Sequence, residues 1–146
     1  MADTLRNYDS KGIIISLGPV LIESGFADGE FLTIEEDSDA TVDVVGTDGE
    51  VAVSPTNDQR ATVTVKLMST AAANDGLSTL ANLARTTPNM IGAVQPLLIK
   101  DSFGRALYTG ANAWVQKAPS VSYDRPATTR EWTIRVAHLV RFDGGN

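Results

Sequence analysis

Apolar residues recur at every second position through most of this chain, and that period restricts the fold to paired strands over a buried face. In the stretch Gln59 to Met68, Val63, Val65 and Leu67 face one way and Thr62, Thr64, Lys66 and Met68 the other. Ile13, Ile15 and Leu17 make a shorter strand, stopped by Gly18-Pro19. A further strand runs from about Glu30 to Glu36, with Phe31 and Thr33 on one side and Leu32 and Ile34 on the other. Leu97 to Lys100, the turn Asp101-Ser102-Phe103-Gly104 and Arg105 to Lys117 read as a hairpin.

The longest run of this kind is Thr129 to Phe142. Trp132, Ile134, Val136, His138, Val140 and Phe142 share one face, and Glu131, Thr133, Arg135, Ala137 and Leu139 the other. Fully extended it would span on the order of 45 Å, long for a chain of 146 residues. Toward its end both faces are apolar, so another element or another subunit is expected over the second face, with Leu139 in that contact.

One hairpin differs from the rest. Val42 and Val44 lead into Thr47-Asp48-Gly49, a strong turn signal, and Val51 and Val53 follow, so Ala40 to Ser54 reads as two strands and a tight turn. It is thin in large apolar groups and rich in Asp, Gly and Thr. An arm of that composition buries little against its own domain and is expected to project.

A single helix interrupts the strands. Asn74 or Asp75 can cap it, Leu77, Leu80, Ala81 and Ala84 fall on one face, Arg85 sits at the negative end of its dipole, and Pro88 stops it, giving a helix over about 74–86. So short a helix is marginal alone and needs a sheet to pack on. The fold class expected is therefore mainly β: an antiparallel β-barrel or sandwich of two sheets, one flanking α-helix and a protruding hairpin arm, in one domain spanning residues 1–146.

The sequence removes most catalytic chemistry. It has no cysteine, hence no disulfide and no thiolate. Its one histidine, His138, rules out a multi-histidine metal site and falls on the apolar face of the longest strand, where a packing role is expected. There is no glycine-rich phosphate loop, nucleophile elbow or zinc spacing. The acidic run Glu35-Glu36-Asp37-Ser38-Asp39 with Asp43 fails as a calcium loop, because Val42 stands where the glycine is needed and Asp48 where a bidentate Glu is needed. No cofactor, metal or catalytic residue is expected. Trp132 reads as core packing, whereas Tyr123, in a polar loop beside Arg125, reads as an interface aromatic.

Formal charge is −6, with 18 acidic and 12 basic residues, so the chain is a poor nucleic-acid gripper. MADTLRNYDSKG lacks the apolar core of a secretory signal, and no run approaches the ~20 apolar residues of a membrane span. A soluble chain made in the cytoplasm is expected, without membrane binding by the isolated subunit.

The order of these parts resembles a known family. Asp43-Val44-Val45-Gly46-Thr47-Asp48-Gly49-Glu50-Val51 leads through Asn57-Asp58 into Arg60 to Leu67; a small polar helix entry follows from Ser69 to Leu80; Thr129-Arg130-Glu131-Trp132-Thr133-Ile134 closes the pattern. Together these look like the small tail tube proteins of Mu-like, contractile-tailed bacteriophages, and more distantly like the tube proteins of type VI secretion systems and pyocins. The resemblance implies a virion protein of the tail, assembled in the host cytoplasm. It also implies six subunits per ring, with rings stacked inside a sheath and a lumen that holds the tape-measure protein and conducts DNA. Baseplate and tail terminator proteins would be its partners at the tube's ends. By position, the ring-stacking arm maps onto residues 40–58, with Asp43, Val44, Val45, Asp48, Glu50 and Val51 as its contacts. Tyr123, Arg125 and Leu139 are candidates for contacts between subunits. The class of reading that competes is a baseplate or carbohydrate-binding β-sandwich, which would gather exposed aromatics at one loop end.

Overall fold

The computed structural model describes residues 12–144; the N-terminal stretch considered above as a signal falls largely outside them. Among these described residues ten strands and one α-helix are formed: β1 (Ile13–Leu17), β2 (Val20–Ile22), β3 (Leu32–Glu36), β4 (Thr41–Val45), β5 (Val51–Pro55), β6 (Ala61–Met68), α1 (Ala73–Thr86), β7 (Gln95–Asp101), β8 (Leu107–Lys117), β9 (Thr129–Val136) and β10 (Val140–Phe142). All pairings are antiparallel. Eight strands form one sheet in the order β2-β1-β7-β8-β9-β6-β3, with β10 also on β8, and β4-β5 form a second sheet by themselves.

The large sheet curls on itself. Ile13 of β1 and Leu32 and Ile34 of β3, from opposite ends of the strand order, line the same cleft. The enclosed face holds the core: Ile15, Ile22, Val63, Val65, Leu67, Ile134 and Val136 are fully buried. The period-two pattern of β6 thus does what it implies, with Val63 opposite Ile134 and Val65 opposite Trp132 on β9. Helix α1 covers this core through Leu77 and Leu80 and lies against β8 and β2.

Three expectations change. The chain does not simply stop at Gly18-Pro19: it turns there and returns as β2, with Ile22 opposite Ile15. Asn74 is no cap. It lies inside the first turn of α1, buried, with Oδ1 accepting from Trp132 Nε1 at 2.8 Å and Nδ2 donating to the Met68 carbonyl at 2.9 Å. It therefore ties helix, β6 and β9 together.

The run Thr129 to Phe142 is bent rather than continuous. At Ala137–Leu139 the backbone leaves the ladder, and the Leu139 N–H donates to the Gln59 carbonyl at the entrance to β6. A Cβ on Gly110 of β8 would stand 2.4 Å from Val136 Cγ1, so the close approach at the bend requires glycine there. Side chains change sides across the bend. His138 is exposed, not packed; Leu139 is taken into the subunit's own core at 5% exposure; Val140 and Phe142 turn outward. Leu139 is therefore not on the surface where the sequence pattern placed a neighbour.

Candidate assembly surface

The arm is a two-stranded ribbon with no face buried. All ten residues of β4 and β5 are exposed. The register puts Val42 opposite Ser54 and Val44 opposite Ala52 on one face, and Asp43 opposite Val53 and Val45 opposite Val51 on the other. Val42, Val44, Val45, Val51 and Val53 are each 55–64% exposed, so both faces carry apolar groups in contact with water. Covering such a valine contributes on the order of 1 kcal/mol, and the subunit leaves all five more than half exposed. At the tip, Gly49 at φ +90° completes the turn, which is closed by the Gly46 N–H donating to the Glu50 carbonyl and the Gly49 N–H donating to the Gly46 carbonyl.

The root of the ribbon is clamped. Ser38 Oγ donates to Asp58 Oδ2 at 2.7 Å, Arg60 Nε and Nη2 reach the same carboxylate at 2.9 Å, and the Thr56 N–H donates to the Ala40 carbonyl. The Arg60 guanidinium first, then Ser38, hold Asp58 far below the usual carboxylate range. Alongside, Arg135 pairs with Asp37 and donates to Thr62. The arm leaves the body from a stiff base.

The net charge is confined to this region. Residues 37–58 hold six acids and no base, which matches the chain's whole net charge of −6, so the remainder balances to zero. Asp37 and Asp58 are paired at the root; among the described residues no ion pair takes up Asp39, Asp43, Asp48 or Glu50. The acid excess is therefore a property of the arm, not a general surface coat.

Tyr123 and Arg125 are placed elsewhere. They lie exposed in the irregular segment between β8 and β9, Tyr123 at 88%. This segment joins the far end of the sheet from the arm: β6 starts beside the arm root and ends at Met68, opposite Thr129, where the Ser69 N–H donates to the Thr128 carbonyl. Of the sequence-predicted contacts, Asp43, Val44, Val45, Asp48, Glu50 and Val51 are thus brought together, while Tyr123 and Arg125 lie beyond the other end of β6, a strand of about 25 Å.

A further apolar surface escaped the sequence. The register aligns Leu21, Leu98 and Val140 in one row across β2, β7 and β10, and Leu107 beside Phe142 in the next, all exposed on the outer face. The change of sides at Ala137–Leu139 brings Val140 and Phe142 into this patch, and no local signal in the sequence marks that change. The outer face of β3, β6 and β9 is polar instead, with Thr33, Thr64 and Thr133 in one row.

A cleft of about 660 Å³ opens between β3 and the β1-β7-β8 side. Tyr108 and Arg141 meet there, the guanidinium 5.6 Å from the ring centre, and both bind Asp143. Arg141, then Tyr108, lower the Asp143 carboxyl, while burial, then Asp143, raise the Tyr108 hydroxyl. These groups hold each other and offer no free nucleophile. Among the described residues no cluster of three metal-binding side chains occurs, and no helix is long and apolar enough to cross a membrane.

This arrangement of a curled antiparallel sheet, one helix over its core and an unburied arm can be compared with known proteins. The family model for the Bacteriophage PhiTE tail tube protein matches residues 16–142. The chain belongs to this phage tail tube family. It is 28% identical over 140 residues to "Structural protein ORF10" of Pseudomonas phage KPP10, covering 96% of this chain and 77% of that one. In fold it is similar to a chain of a native gene transfer agent virion, with a TM-score of 0.61 at 12% identity over 93% of this chain and 99% of the other. A chain from the sheath/tube terminator of an extracellular contractile injection system gives 0.59 at 14% identity, covering 96% and 99%. The tail tube family is a structural one, and membership places the protein in the phage virion's tail.

Proposed function

We propose that this protein is the repeating subunit of a tail tube: six copies close a ring, and rings stack through the arm at residues 40–58 into a hollow tube inside a contractile sheath. The observation that carries the reading is the ribbon of Thr41–Val45 and Val51–Pro55, whose valines are exposed on both faces of a stiffly rooted hairpin. A ribbon of that kind is uncovered in the single subunit and covered in a stack. The outward patch of Leu98, Leu107, Val140 and Phe142 gives a ring a second apolar contact. Closure also occupies the open edges of β2 and β3, which would otherwise pair without control.

The lumen of such a tube would hold the tape-measure protein during assembly in the host cytoplasm and conduct DNA afterwards, with terminator and baseplate proteins at its ends. With the net charge concentrated in the arm, the rest of the subunit carries no net positive charge to hold phosphates. The sheath partnership is supported by the sheath/tube context of the contractile-system relative.

Deleting Thr41 to Thr56 tests the reading. The deleted chain is expected to keep the melting behaviour of the subunit, since the removed strands bury nothing, and to form no tubes by negative-stain microscopy. Loss of the fold, or tubes of normal length, would remove the arm from the stacking role.

A further inference from the structure

The two ends of the subunit differ in charge in a way that names the arm's receptor. We propose that the arm of one copy docks on the Lys117–Arg130 end of a copy in the next ring; this rests on the tube reading above. The arm supplies Asp43, Asp48 and Glu50 together with its valines. The segment 117–130 supplies Lys117, Arg125 and Arg130 against the single acid Asp124, and among the described residues no ion pair occupies those three bases. Exposed Val121, Tyr123 and Met68 lie at the same end and provide apolar cover for valines. Lys117 also walls a groove of about 330 Å³ with Ser120, Thr129, Glu131 and Thr133.

Charge opposes the simplest alternative, arm end against arm end. That contact would bring two uncompensated acidic ribbons together. The guanidiniums near the root, Arg60, Arg135 and Arg141, are already paired with Asp58, Asp37 and Asp143. Because the acidic arm and the basic segment sit at opposite ends of β6 and β9, their contact is head-to-tail. A head-to-tail contact repeats without limit along an axis and gives every subunit the same polarity.

Charge reversal at exposed positions tests the pairing. One variant carries Asp43→Lys, Asp48→Lys and Glu50→Lys; a second carries Lys117→Glu, Arg125→Glu and Arg130→Glu; a third carries all six. The protein concentration at which tubes form is read by light scattering and microscopy, with thermal melts confirming folded subunits. Each one-ended variant is expected to raise that threshold roughly tenfold or more, and the six-site variant to return within about threefold of the natural chain. The natural chain's threshold is expected to rise with salt. If either one-ended variant fails to fold, the milder Glu50→Gln and Arg125→Gln changes replace it, each expected to raise the threshold about twofold. A six-site variant no better than the one-ended ones, or a loop reversal without effect, overturns this docking. The tube reading would survive that result as long as the arm-deleted chain forms no tubes.

Discussion

The β4–β5 ribbon and the β6–β9 pair are built from the same materials, antiparallel strands of alternating valine and small polar residues, and behave in opposite ways. In β6–β9 the apolar residues of both strands meet on one face, so Val63, Val65, Trp132 and Ile134 enter the core together. In the ribbon Val53 faces Asp43 while Val42 and Val44 point to the other side, so neither face can be buried by the subunit without exposing the second. Pairing is decided along a strand; burial is decided by whether the two partners agree on a face. A ribbon whose partners disagree is suited to a place with neighbours on both sides.

The largest effect expected from this contrast is Trp132→Ala. It leaves a cavity in the core and an unpartnered Asn74, and a loss of about 3–5 kcal/mol in subunit stability is expected by urea unfolding. Asn74→Ala removes the partner of the buried indole N–H, with an expected cost of about 1–3 kcal/mol in the same measurement. The smallest effect on the fold belongs to the ribbon. Val44→Thr with Val53→Thr is expected to change subunit stability by less than about 0.5 kcal/mol, while raising the concentration at which tubes form. If the ribbon pair destabilised the subunit as much as Asn74→Ala, the contrast between the two strand pairs would collapse.

Much of the fold was legible because β6, β7 and β9 each bury every second residue, and that order is written locally. What could not be read has non-local causes. The apolar alternation runs through His138, Val140 and Phe142 without interruption, but the bend depends on Gly110 of β8 and the Gln59 carbonyl. Strand β2 has three residues, too few to show a period. Asn74 looks like a cap until Trp132, 58 residues away, occupies its side chain. In the candidate surface the arm announces itself through Thr47-Asp48-Gly49. The outer patch of Leu98, Leu107, Val140 and Phe142 does not, because it exists only once the register is known.

Confinement of the net charge to residues 37–58 also bears on how fast subunits find each other. A body with balanced charge and a negative lever at one end has a large electric dipole moment. Two such bodies exert torques on one another before they touch, favouring nose-to-tail approach and slowing nose-to-nose collisions. This orienting field reaches only about 8 Å at physiological ionic strength, so it selects among close encounters rather than drawing in distant ones. The arm would then act as a compass needle as well as a fastener, raising the fraction of collisions that arrive correctly aligned.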